Sequence, residues 1–271
     1  MISRKYFKKG PFCPERPGPG TAMGTDEILK AENINKSFED KAVLKDVNIT
    51  LHKGELVSLL GVSGAGKTTL FNILSGIYKP DSGRVLLYGE DVTGKPGSVS
   101  YMLQKDLLFQ YRRVIDNVCL PLIVKGMKKK DARAKADPLF ETFGLSGCQM
   151  KYPSQLSGGM RQRAALLRTY LSSDGVALLD EPFSALDTIT KSAIHKWYLN
   201  VMQEIDLSTV FITHDIDEAI LLSDRVCILA GSPGTIKEVI PIEAKKPRGD
   251  DFNLTDEFIA YKRRIVESLH L

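Results

Sequence analysis

The run Glu55–Leu60 is short and apolar, it leads directly into GVSGAGKT at Gly61–Thr68, and Thr68–Leu74 then carries helical periodicity closed by Gly76. A strand, a glycine-rich loop and a helix in immediate succession constrain this chain more than any other feature. The loop fits G-x-x-x-x-G-K-[ST], and its two flanks supply the context that gives the pattern meaning. Glycines at 61, 64 and 66 let backbone amides turn inward around phosphate oxygens. The helix N-terminus adds partial positive charge. Lys67 is expected to reach the β- and γ-phosphates of a nucleotide, and the Thr68 hydroxyl to ligate Mg²⁺. Ser63, Ala65 and Thr69 complete the expected nucleotide-binding set. A flexible glycine loop before a helix is the bland alternative, and both flanks being correct argues against it.

Later apolar runs at Val176–Leu179, Thr209–Thr213 and Arg225–Leu229 alternate with helical stretches, which predicts an α/β fold with a parallel, helix-covered sheet. Earlier runs at Ile28–Ile34, Ala42–Leu51 and Arg84–Tyr88, separated by turn signals such as Pro80-Asp81-Ser82-Gly83, predict a β-rich subdomain. Roughly residues 105–171 are helical in character, include a basic amphipathic piece at Lys125–Lys135, and interrupt the alternation, so they are expected to form an inserted helical subdomain. The main domain is expected over 25–240. Residues 241–271 form a charged tail ending in a helix near Asp256–Leu269.

Asp180 and Glu181 end an apolar strand. Neighbouring strand residues point to opposite sides, so the two carboxylates can serve separate tasks: one holds Mg²⁺, the other polarises an attacking water. His214 closes the run Thr209–Thr213 and so falls at the carboxyl edge of the sheet, where α/β folds bind ligands. His52, His195 and His270 have no such placement and are expected to be surface or packing residues. In LSGGMRQR at Leu156–Arg163, Ser157 is a good N-cap, while Gly158 and Gly159 permit close approach of an anion to free amides. Met160, Ala164, Leu167 and Leu171 recur at helical spacing as core. Arg161 and Arg168 are expected to face solvent or carboxylates.

Composition narrows the partners. The 37 Lys and Arg exceed the 33 Asp and Glu, but residues 1–24 hold five basic side chains against one acidic. The remainder is balanced, which removes the support for a nucleic-acid partner. The proline- and glycine-rich tail itself reads as disordered. Apolar stretches such as Val118–Val124, interrupted by Pro121, are too short to cross a bilayer. The four cysteines are scattered without metal-like spacing and read as reduced thiols.

With these motifs in this order, residues 26–235 resemble an ABC-type ATPase, the nucleotide-binding subunit of ATP-binding-cassette transporters. The resemblance implies Walker A at Gly61–Thr68 and a Q-loop glutamine at Gln104, also near the metal. It further implies the signature at Leu156–Met160, Walker B ending at Asp180, catalytic Glu181, a D-loop at Ser184–Asp187 and a switch histidine at His214. Phe38 matches the aromatic that stacks on adenine, or is equally a strand core residue. Such cassettes pair head to tail, so that the signature of one subunit caps ATP on the other. Gln104 then transmits movement to transmembrane permease subunits, with Leu107, Leu108, Phe109 and Tyr111 lining the docking groove or the subdomain core. DEPFSALD, MRQR, THDIDEA and the turn at Gly231–Ile236 resemble the nitrate, sulfonate and taurine importer group. That implies a peripheral subunit at the cytoplasmic membrane face, taking up a small solute or vitamin precursor delivered by an extracellular binding protein. FQYRRV at Phe109–Val114 and Asp174-Gly175 depart from the group's usual wording. The alternative is an exporter or lipoprotein-release ATPase. Repair-type relatives would need a long coiled-coil insertion, translation-type ones a second cassette, and a non-hydrolysing module would not need both Glu181 and His214.

Overall fold

The computed structural model describes residues 26–184, 188–205, 207–246, 248 and 251–269. The basic tail and Ala185–Asp187 of the expected D-loop lie outside them. The described residues begin with two long strands, β1 (Glu27–Phe38) and β2 (Lys41–His52), then enter β3 (Leu56–Leu60) and helix α1 (Lys67–Leu74). Strands β4 (Ser82–Leu87), β5 (Glu90–Asp91) and β6 (Ser100–Met102) follow. Helices α2 (Val114–Val118), α3 (Leu120–Val124), α4 (Lys129–Ala136), α5 (Leu139–Thr142) and α6 (Gly158–Ser172) come next. The remainder is β7 (Val176–Asp180), α7 (Thr188–Glu204), β8 (Ser208–Thr213), α8 (Ile216–Leu222), β9 (Arg225–Ala230), β10 (Thr235–Pro241) and α9 (Asp256–Leu269).

Two sheets result. The smaller is antiparallel, in the order β2-β1-β4-β5; the larger runs β10-β9-β3-β8-β7-β6, with β10 antiparallel at its edge and the other strands parallel. Strands β3 and β8 are buried at every position. That is why their sequences read as unbroken apolar runs rather than alternating ones. Between the sheets, Leu44, Val47 and Leu51 pack with Leu59, Leu70 and Phe71. A second core on the other face joins Val118, Leu122, Phe140 and Leu167 to Leu179 and Phe211. The two sheets are also tied by backbone: Gly234 N–H donates to the Val43 carbonyl and Lys45 N–H to the Gly234 carbonyl.

Strands β6 and β10 are additions to the sequence reading. Strand β6 has only three residues and gains its place from pairing with β7. The basic piece at Lys125–Lys135 is not continuous; Gly126, at φ 92°, breaks it between α3 and α4. The C-terminal segment is bound tightly to the body. Phe258 and Ile265 of α9 are buried with Ile220, Ile240 and Ile242. Arg248 donates to the carbonyls of Ile220, Leu221 and Ser223, satisfying orphan acceptors at the end of α8.

Candidate active site

The P-loop sits between β3 and α1 at the carboxyl end of the parallel sheet. Gly66, at φ 97°, caps α1 in the left-handed region, which glycine reaches without the Cβ penalty. Lys67 Nζ donates to the Gly61 carbonyl at 2.6 Å and the Val62 carbonyl at 3.0 Å. Burial lowers the Lys67 pKa, while the charges of Glu181 and Asp180 oppose that shift. Ser63, Gly64 and Thr68 are exposed, Gly66 and Thr69 half-buried, and Ala65 buried. The loop is packed from below as well. A Cβ on Gly61 would meet the Leu229 carbonyl oxygen at 2.2 Å, and one on Gly234 would meet the Ala65 carbonyl oxygen at 2.1 Å. Leu229 of β9 and Gly234 therefore form a floor under the P-loop.

Facing Lys67, β7 delivers the two carboxylates. Tyr101 of β6 donates its hydroxyl to Asp180 Oδ2 at 3.2 Å. Burial raises the Asp180 pKa and the neighbouring Glu181 charge adds to the rise, while Tyr101 and Lys67 pull it down. Glu181 lies past the strand with φ 45°, so the alternation expected of strand neighbours stops at Asp180. Its side chain instead gathers the switch groups. Gln104 Nε2 donates to Glu181 Oε2 at 2.8 Å, and His214 Nδ1 lies 3.3 Å from Glu181 Oε1. Gln104, Lys67, Asp180, Glu181 and His214 thus converge on one edge of the sheet, although the sequence separates Lys67 from His214 by most of the chain.

At the signature, Ser157 Oγ accepts from Met160 N–H at 3.3 Å, the N-cap the sequence predicts. Ser157 and Gly158 are exposed and Gly159 half-buried, so this helix end opens outward. Arg161 lies 3.4 Å from Asp106, as expected of a residue near a carboxylate. Arg168 departs from expectation. It is turned into the protein and donates to the carbonyls of Asp106 at 2.6 Å and Leu107 at 2.9 Å. Helix α6 is thereby fastened to the segment just after Gln104. The reason is local: Leu107 has φ 46°, a turn that leaves those carbonyls pointing at α6 without strand or helix partners.

Phe38 is not a core residue. It is 41% exposed at the end of β1, edge-on to Tyr78 with centroids 5.6 Å apart. The four residues after Gln104 divide. Leu108 is buried in the helical subdomain core, whereas Leu107 and Phe109 are half exposed and Tyr111 is 97% exposed. Tyr101, Arg168 and Gly234 were not readable as site residues, because each acts through a contact distant in sequence. The only local signal was the glycine at 234.

Residues 44–184 match the ABC transporter family profile. The chain is 37% identical over 245 residues to an uncharacterized ABC transporter ATP-binding protein of Methanocaldococcus jannaschii, covering 89% of this chain and 91% of that one. The chain belongs to the ABC transporter family. It is also 39% identical over 208 residues to the formylaminopyrimidine import ATP-binding protein of Halalkalibacterium halodurans, covering 76% and 81% of the two chains. Among solved structures it resembles a dimeric ATP-binding cassette in a post-hydrolysis state bound to ADP and phosphate, at 28% identity and TM-score 0.67, over 80% of this chain and 100% of that one. This ABC chain is therefore an ATP-binding, ATP-hydrolysing subunit of the importer-like group. Among its described residues no helix is long and apolar enough to cross a membrane.

Proposed function

We propose that this chain works as a head-to-tail pair, each P-loop holding ATP against the signature of the other copy, and that hydrolysis drives uptake through transmembrane permease subunits. Lys67, the backbone amides of Gly61–Thr69 and the exposed Phe38 would bind the nucleotide. Glu181 is the general base for water, held in place by His214 and Gln104. Mg²⁺ fits the donors present: the Thr68 hydroxyl, the Gln104 amide oxygen and the Asp180 carboxylate are all oxygen ligands. The unfavourable burial of Asp180, partly offset by Tyr101, is what a neighbouring cation would relieve. When bound, the metal would neutralise charge developing on the phosphoryl group.

The observation that carries this reading is the split between a converged half-site and an outward-facing signature. Lys67, Asp180, Glu181 and His214 gather at one sheet edge, while Ser157 and Gly158 present a capped helix end to the outside. The partner permeases dock near the exposed Leu107, Phe109 and Tyr111, placing the chain at the cytoplasmic face of the membrane. The cargo is a small solute of the nitrate, sulfonate, taurine or vitamin-precursor kind, delivered by an extracellular binding protein.

Mixing two inactive variants tests the sharing. Lys67→Ala breaks the P-loop and Ser157→Arg blocks the signature, so a mixed pair retains one intact composite site. ATPase activity recovered on mixing supports head-to-tail sharing; a mixture as inactive as its parts rejects it.

A further inference from the structure

His195 and Glu218 meet inside the molecule, although the sequence reads His195 as a surface or packing residue and gives Glu218 no task. Glu218 of α8 is 3% exposed, and His195 of α7 places Nε2 3.3 Å from its Oε1. The other carboxylate oxygen accepts a hydrogen bond from the Thr213 hydroxyl at 2.6 Å. Thr213 is the last residue of β8 and the immediate neighbour of His214. Its hydroxyl also accepts the backbone N–H of Asp215 at 3.0 Å. The residues on both sides of His214 are therefore fixed, one by its side chain on Glu218 and the other by its amide on Thr213. The imidazole of His195 packs edge-on against Phe183, centroids 4.9 Å apart, and Phe183 lies two residues beyond Glu181.

One buried pair thus touches α7, the turn that follows Glu181, and the loop that carries His214. Burying a carboxylate is costly unless it is paired and hydrogen-bonded, and an apolar side chain would serve packing at least as well. An apolar residue would not hold the Thr213 hydroxyl, so what the polar pair adds here is geometry.

We propose that His195 and Glu218 are positioning residues for ATP hydrolysis: acting through Thr213, they hold the turn that keeps His214 against Glu181. This rests on the reading of His214 as a working residue of the site. The pair touches neither nucleotide nor water itself. It sets the register of the switch histidine and links that register to the packing of α7.

Steady-state ATPase kinetics of the full chain test the relay. His195→Leu should lower kcat about tenfold to a hundredfold, the scale of a small misplacement at a reacting centre, with KM for ATP nearly unchanged. His195→Gln keeps a polar side chain beside Glu218 and should recover most of the loss. In a His214→Ala background, His195→Leu should cost little more, because both act through one residue. Thr213→Val, which keeps the shape and removes the hydroxyl, should reproduce the kcat loss and carries the test if His195→Leu does not fold. Unchanged kcat per folded molecule in both His195→Leu and Thr213→Val, or losses that multiply with His214→Ala, would overturn the relay. A His214→Ala chain with wild-type turnover would instead reject the reading of His214 and the route through it. An impaired His214→Ala chain beside unimpaired His195→Leu and Thr213→Val chains rejects the relay alone.

Discussion

His214 Nδ1 lies 3.3 Å from Glu181 Oε1, across the ends of the neighbouring strands β8 and β7. Gln104 engages the other oxygen, so both carboxylate oxygens are held by the chain's own groups. A general base must present a free lone pair to water. Each carboxylate oxygen carries two lone pairs, so Glu181 can keep both contacts and still accept a proton from water. Holding the base this way ties its orientation to the segment that follows Gln104, the same segment that Arg168 fastens to α6.

The floor of the P-loop predicts an asymmetry between its glycines. A Cβ at Gly61 collides with a backbone carbonyl, while one at Gly64 meets nothing within 4 Å and only strains a φ of 83°. Gly61→Ala should cost about 3 kcal/mol or more, given the overpacking of a site that cannot yield. Gly64→Ala should cost only about 1 kcal/mol, the left-handed penalty for a residue with a Cβ. Urea unfolding of the two variants measures the difference, and equal midpoints would contradict the packing described for Gly61.

Arg168→Met removes two charge-assisted hydrogen bonds and leaves two carbonyls without their donor. The expected loss is about 2 kcal/mol, or roughly 5 °C in Tm for a chain of this size. Arg168→Lys keeps the charge but not the planar fork, and should recover less than half of it. Thermal unfolding of both variants decides; a Met variant with unchanged Tm would remove Arg168 from the account of how α6 is held.

Asp116 supplies the pH dependence. Burial pushes its carboxyl up, but hydrogen bonds from Arg133 and Lys129 outweigh that and hold it below the usual carboxylate range. A depressed folded pKa contributes stability that is complete above the unfolded value near 4 and is lost as pH falls through the folded value. Asp116→Asn should therefore destabilise the chain at pH 7, with the gap to wild type closing as the pH drops below about 4. A gap that stays constant across this range would show that the ion pair does not link α4 to α2.

The P-loop, the Asp-Glu pair and the capped signature helix were legible in the sequence because each is a short spacing with a fixed backbone demand. Strands β3 and β8 were legible because burial on both faces leaves unbroken apolar runs. Strand β10 was not, since Thr235–Pro241 mixes Lys237 and Glu238 into an edge strand whose place depends on pairing with β9. Arg168 reads as facing solvent or a carboxylate for a similar reason: the carbonyls it satisfies lie about sixty residues away. The course of Glu181 was misjudged because a left-handed φ at a non-glycine residue leaves no mark in the sequence. Convergence of the active site is a property of the topology, and only the individual motifs are local.

The central claim, that Glu181 is the base of an ATPase whose P-loop binds nucleotide independently of it, is tested most directly by Glu181→Gln. The amide keeps nearly the same shape between Gln104 and His214 but cannot take a proton. ATP affinity and single-turnover hydrolysis should be measured on the same full-length preparation. The account predicts wild-type ATP affinity with hydrolysis reduced at least about a hundredfold, the lower end of what a positioned base contributes. Hydrolysis near the wild-type rate with ATP bound would contradict it.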